Sequence, residues 1–263
     1  MFRLTREVRF AINRSTPDEQ LAQKPTNSYG GYPSLTGIGT FLSIEVTLAG
    51  ELRGDTSYLR NIKDVDDVIR RRAIPRIIRD HHTLSAFALT AQLHSELRDA
   101  WPGATLDRLR VNLSPFMAVS CRASEYPMVR LSQKFEFSAS HRLHNPSLSD
   151  EENRRSFGKC NNPDGHGHNY ELQVTLRGTP EERSGVLVDV PAFERIVGDT
   201  VIDRFDHKNL NTQVAEFKET IPSVENIARV IYRLLKPQFE SQRAQLASVT
   251  VWETPKTWCE YSE

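Results

Sequence analysis

The chain has 263 residues, with Lys plus Arg and Asp plus Glu both at 34 and hydrophobic residues at 38%. Zero formal net charge gives no global electrostatic case for nucleic acid or an acidic membrane surface as partner. No apolar run approaches the ~18–20 residues that span a bilayer, so a membrane partner is not expected either.

Met1 to Arg14 alternates polar and apolar residues without an apolar h-region, so no secretory signal is expected. Cysteines occur at 121, 160 and 259 only. An odd, sparse set argues against a disulfide framework and for a reducing compartment, with the cytoplasm as the expected location.

In chain order, Glu7–Ile12 reads as a strand and Ser15–Ser34, rich in Pro, Gly, Ser, Asn and Gln, as a long loop. Phe41–Leu48 alternates as a long strand, Tyr58–Ile62 reads as a short one, Asp64–Arg79 as a helix and Leu109–Pro115 as a strand. Residues 123–131 contain Ala-Ser-Glu-Tyr-Pro and read as a linker. The series then restarts: strand Lys134–Ala139, loop Asn145–Asp164, long strand Tyr170–Leu176, short strand Val186–Val190, helix Pro191–Arg204. Pro191 suits a first helical turn. Ser223–Leu235 carries a 3.6-period stripe of Ile227, Val230, Ile231 and Leu234, and Val249–Pro255 closes the series as a strand.

The restart is an internal repeat. Gly37–Gly50 and Gly165–Gly178 lie 128 residues apart and share six of 14 positions, including both leading glycines and Val-Thr-Leu. The flanking strands and helices follow in the same order. The expected fold class is α+β: two tandem domains, each a four-stranded antiparallel sheet with two helices on one face. The expected boundaries are 1–122, a linker at 123–131, and 132–263.

Chemistry-bearing residues collect in the second copy. His166 and His168 are two apart on a strand, so both rings point to one side, at the end of the row Tyr170, Leu172, Val174, Leu176. His141 ends another such row, Phe135, Phe137, Ala139. Three neutral imidazoles with one open position suit catalytic zinc; the spacing equally suits three hydrogen-bonded structural histidines. His144 reads as a loop residue. Cys160 stands on a polar loop beside Lys159, which with a nearby metal favours a thiolate; a small buried hydrophobe and a fourth metal ligand are the other readings. Cys121 and Cys259 fall in or beside terminal strands and read as structural. Asp206 next to His207 can orient a histidine that moves protons. Glu253 ends the last strand, where a carboxylate either accepts ring N–H groups or is simply solvated.

Taken together, Phe137-Ser-Ala-Ser-His-Arg142, Gly158-Lys-Cys-Asn-Asn-Pro-Asp-Gly-His-Gly-His-Asn-Tyr170, Asp206-His-Lys-Asn-Leu210, Glu225-Asn-Ile-Ala228 and Trp252-Glu-Thr254 resemble the 6-pyruvoyltetrahydropterin synthase family. These segments span essentially all of 132–263. The resemblance implies a tunnelling-fold (T-fold) enzyme, a lyase acting on 7,8-dihydroneopterin triphosphate. It implies one Zn2+ per chain on His141, His166 and His168, and leaves room for Mg2+ with the triphosphate. Cys160 would be the catalytic base, Asp206 and His207 a proton relay, and Glu253 the anchor of the pterin ring. Glu225 would support the substrate site, although Ser223 and Val224 replace the family's usual Thr-Thr or Thr-Ser before it. The Cys-Asn-Asn-Pro-Asp-Gly run looks more like the 6-pyruvoyl enzymes than the 6-carboxytetrahydropterin synthases of queuosine biosynthesis, the alternative product class. A zinc-stabilised pterin-binding or assembly protein without turnover is the alternative from another class. There is no Gly-x-Gly-x-x-Gly after a strand and no P-loop.

The first copy has Ile38 and Thr40 opposite His166 and His168, Asn13 or Arg14 opposite His141, Tyr32 opposite Cys160 and Leu113 opposite Glu253; only Asp80-His81 matches Asp206-His207. Residues 1–122 are therefore expected to be a catalytically silent T-fold. Family subunits associate edge to edge, which implies a homo-oligomer, with a trimer of fused chains supplying six domains.

Overall fold

A computed structural model gives the fold of residues 1–22, 31–240 and 243–263. Packing divides the chain into two units, 1–131 with 178–187 and 132–177 with 188–263.

In the first unit β1 (Phe2–Ile12), β2 (Thr40–Gly50), β3 (Thr105–Asn112) and β4 (Met117–Arg122) pair antiparallel in sequence order. Its helices are α1 (Pro17–Leu21), α2 (Ile62–Val68), α3 (Ile74–Asp80) and α4 (Ala86–Leu97). A π turn, Ile69–Ala73, joins α2 to α3. Alternation on the strands and the helical stripe meet in one core. Val8, Phe10, Leu42, Ile44, Val46, Leu48 and Leu109 face Ile69, Ile74, Ile78, Leu93 and Leu97.

In the second unit β5 (Val129–His141), β6 (His166–Gly178), β8 (Gln245–Thr254) and β9 (Thr257–Tyr261) form the sheet, and the two-residue β7 (Lys208–Asn209) runs parallel to β5. Helices α5 (Asp150–Phe157), α6 (Val190–Val197), α7 (Asp203–Phe205), α8 (Leu210–Gln213) and α9 (Val224–Phe239) complete it. Phe137 stacks on Tyr170 at 4.9 Å and meets Phe205 edge-on, while Phe193 meets Phe239. These rings anchor the sheet to its helices and hold the His-bearing ends of β5 and β6 on a rigid base.

Several expected elements differ. Tyr58–Ile62 is not a strand: the Asn61 side chain caps Lys63 N at 3.0 Å and Ile62 opens α2. Val186–Val190 is not a strand either, because Asp189 caps α6. The fourth strand of each unit comes instead from a terminal hairpin, β4 and β9. The loop expected at Asn145–Asp164 holds α5, started by a Ser149/Glu152 capping box. The one expected at Ser15–Ser34 holds α1, started by Thr16 and Glu19; residues 23–30 lie outside the described part. The linker expected at 123–131 is already strand from Val129, with Val129 and Leu131 buried.

Gly165 fixes the entry to β6. It sits at φ +74, and a Cβ there would meet the His141 carbonyl oxygen at 3.0 Å. Gly165→Ala should therefore cost ~1–3 kcal/mol, read as a lowered urea midpoint with unchanged slope.

Candidate metal centre and active site

The strand parity that buries Phe137 and Tyr170 carries His141, His166 and His168 to the same end of β5 and β6. Their ring centroids lie 4.5, 5.2 and 4.9 Å apart. Glu253 joins them from β8. The β8–β9 register slips between Trp252 and Thr254, so Glu253 is the extra residue of a bulge that re-aims its side chain. One donor atom from each of the four residues lies within 4.8 Å of all the others.

The hydrogen bonding decides what this set can do. His141 is fully buried, and its Nδ1 lies 2.7 Å from the Pro222 carbonyl oxygen, just before α9. A carbonyl only accepts, so Nδ1 carries the proton and Nε2 of the neutral ring presents a lone pair. That lone pair faces His166 Nε2 at 3.1 Å and Glu253 Oε1 at 3.2 Å. His168 Nε2 is 3.5 Å from the same oxygen. His166 Nδ1 and His168 Nε2 are buried without hydrogen-bond partners. Lone pairs and a carboxylate converging on one point repel unless a cation lies between them. Burial lowers the pKa of both His166 and His168, which favours the neutral, ligating form. The residues fit a metal ion.

The remaining expected residues are placed as follows. Cys160 stands in the 3-10 turn Gly158–Asn161, its carbonyl accepting from Leu143 N at 2.9 Å. Its sulfur is outside the converging donor set. Burial first, and Glu253 second, raise the pKa of the neighbouring Tyr170 phenol. The Tyr170 hydroxyl is in turn 3.4 Å from His141 Nδ1. Asp206 Oδ2 accepts from His207 Nδ1 at 2.8 Å, and Oδ1 accepts from Ser138 N at 2.7 Å. His207 N donates back to Ser138 O, with His207 at φ +56. Two backbone clamps on one residue of β5 thus fix the pair. The His207 ring is 82% exposed and lies on a cleft of about 530 Å³ that His168, Asn169, Lys208 and Gln213 also line. Glu225 is exposed in the first turn of α9, outside the histidine cluster, where its charge bears on Cys259 of β9. His144 holds Asn161 Oδ1 at 3.0 Å. Pro222 was not singled out in the sequence, and neither was the bulge at Glu253.

The first unit uses its counterparts differently. Asn13 is buried and holds Ser34 O and Thr36 N, while Ile38 is exposed. Asp80 pairs with Arg76, and His81 Nδ1 contacts Ile78 O, so no Asp–His pair forms. Among the described residues the metal-type donor group falls in the second unit.

A part-buried donor set of this composition, at the end of a helix-backed antiparallel sheet, defines an enzyme-like α+β domain built around a metal-type site. The sequence profile of 6-pyruvoyl tetrahydropterin synthase matches residues 130–263. The 6-pyruvoyl tetrahydrobiopterin synthase of Drosophila melanogaster is 39% identical over 138 residues, 52% of this chain and 82% of that protein. The 6-carboxy-5,6,7,8-tetrahydropterin synthase of Haemophilus influenzae is 28% identical over 156 residues, 52% of this chain and all of that one. The solved 6-pyruvoyl tetrahydropterin synthase of Caenorhabditis elegans is 41% identical, covers 52% of this chain and 96% of its own, and gives a TM-score of 0.49. The chain belongs to the 6-pyruvoyl tetrahydropterin synthase family and, with its relatives, is a lyase. No helix among the described residues is long and apolar enough to cross a membrane.

The Ser138 amide first, and His207 second, lower the pKa of Asp206. A depressed carboxylate stabilises the fold above its unfolded pKa, about 3.9, and loses that contribution as pH falls through the folded value. Asp206→Asn keeps an acceptor for Ser138 and removes the charge. Its deficit in urea midpoint should be constant from pH 7 to about 5 and close below about 4. A deficit independent of pH would contradict this account of the pair.

Proposed function

We propose that the second unit converts 7,8-dihydroneopterin triphosphate to 6-pyruvoyltetrahydropterin with elimination of triphosphate, and that its metal is Zn2+, one per chain. The observation that carries this is the convergence of His141 Nε2, His166, His168 and Glu253 on one point. Three imidazoles with an open fourth position suit catalytic zinc. When bound, Zn2+ supplies Lewis-acid polarisation of the substrate's side-chain oxygens, which acidifies the adjacent carbon-bound protons.

The residues of the chain do the rest. Pro222 holds the His141 tautomer. The Cys160 thiolate removes a carbon-bound proton. His207, oriented by Asp206, returns or relays one from the cleft. The Glu253 carboxylate accepts from the pterin ring. Internal redistribution of electrons between side chain and ring needs no nicotinamide. Mg2+ accompanies the triphosphate. Similarity to the Drosophila enzyme, and the Cys-Asn-Asn-Pro-Asp-Gly run, support the pyruvoyl over the carboxy product.

The first unit is, in this reading, a duplicated and silent copy. Beyond the sequence repeat, β2 and β6 break register at Thr47/Leu48 and Thr175/Leu176, the same repeat position. Each unit carries a π turn after its second strand, Ile69–Ala73 and Gly198–Ile202. Hydroxyl pairs recur as Thr5–Thr47 and Ser132–Thr175. Irregularities at matching positions are poorly explained by convergence. The fused copy supplies sheet to a homotrimer, and the sparse free cysteines suit the cytoplasm.

Cys160→Ser should cut triphosphate release by about 100-fold or more while zinc content stays near one per chain. Product mass identifies 6-pyruvoyltetrahydropterin; acetaldehyde would mark the carboxy reaction instead. Glu253→Gln separates anchor from ligand. As the pterin anchor it should keep its zinc and lose turnover about 10–100-fold, whereas loss of zinc would make Glu253 a metal ligand.

A further inference from the structure

The turn that carries Cys160 also walls a second cleft, of about 550 Å³. Arg142, Arg154 and Lys159 line it, against Asp150 as the one carboxylate in the lining. Gly158, at φ +53, ends α5 and turns the chain so that Lys159 reaches the cleft lined by Arg154 of the helix. Arg142 is anchored by neutral oxygens: its Nε donates to the carbonyl and side-chain oxygens of Asn161, both at 3.2 Å. The Arg154 and Lys159 side chains are exposed and have no ion-pair or hydrogen-bond partner among the described residues.

Three cations lining one cleft against a single carboxylate repel one another, and a polyanion relieves that repulsion. The α5 dipole accounts for basic residues in its last turn, where Arg154 and Arg155 both stand. It does not account for Lys159 and Arg142 lining the same cleft. Chain connectivity adds location: Arg142 follows the donor His141, and Lys159 precedes Cys160.

We propose that this cleft binds the polyphosphate chain of the substrate, with Arg154 and Lys159 as its direct contacts and Arg142 as an anchored third cation. The identity of the phosphate ester rests on the pterin triphosphate reading; the polyanion site itself does not. Guanidinium and ammonium groups bind phosphate oxygens by charge-assisted hydrogen bonds, and their exposure makes the binding salt-dependent.

The test is calorimetric titration of the full zinc-loaded chain with inorganic triphosphate, which needs no turnover. The parent should bind, Arg154→Gln and Lys159→Gln should each bind about 10-fold more weakly, and the double variant more weakly still. Arg155→Gln, on the same helix but outside the lining, should bind like the parent. With dihydroneopterin triphosphate the two cleft variants should raise KM and leave kcat within about twofold, as loss of uniform binding does. The proposal fails if the parent does not bind inorganic triphosphate, if the double variant binds within twofold of it, or if Arg155→Gln weakens binding as much. Triphosphate bound through these residues by a chain that does not turn over the pterin would remove the pterin reading and leave the anion site standing.

Discussion

Three imidazole rings and a carboxylate gathered with their donor atoms within 4.8 Å of one another form a set that a cation fits, and this is the constraint on which the second unit is organised. It begins with a single backbone carbonyl. By accepting from His141 Nδ1, Pro222 turns the other nitrogen inward as a base. His166 and His168 reach the same point because period 2 on β6 gives them one face. Glu253 arrives because a bulge in β8 re-aims it. Within this set His166 Nδ1 and His168 Nε2 have no hydrogen-bond partner, and the cluster as a whole could hold one metal ion.

The rest of the unit supports that point. Aromatic packing of Phe137, Tyr170 and Phe205 fixes the two His-bearing strand ends. The Asp206–His207 pair is clamped to Ser138 on the same strand, so its position depends on the same frame. The Cys160 turn is tied back to Leu143, two residues past His141. The histidine cluster, the Cys160 turn and the Asp206–His207 pair are thus all referred to the end of β5. In the first unit the residues at the repeat-matched positions do structural work. Asn13 staples a loop, and Asp80 pairs with an arginine on its own helix.

How much of this was legible follows from how local each signal is. Strand parity is local, so the shared face of His166 and His168 could be read directly, and His141 from the row ending at Ala139. Helix starts are also local. The Ser149-x-x-Glu152 box and the Asn61 and Asp189 caps were present in the sequence and show why α5 forms and why two expected short strands do not. The terminal hairpins were hidden because β4 and β9 are short and follow polar turns. The Pro222 carbonyl and the aim of Glu253 were not legible at all. Both depend on the approach of segments distant in sequence, and the bulge has no residue signature. Exposure also separated residues that motif order had grouped: Glu225 lies at the surface near Cys259, apart from the donor set.

Zinc-edge X-ray absorption of the purified full-length chain tests the central claim most directly. The account predicts about one zinc per chain, a first shell of only nitrogen and oxygen at about 2.0–2.2 Å, and the multiple-scattering signature of three imidazoles. A sulfur shell at about 2.3 Å would place Cys160 on the metal and remove it as the base. Absence of zinc, or two ions per chain, would contradict a single metal centre confined to the second unit.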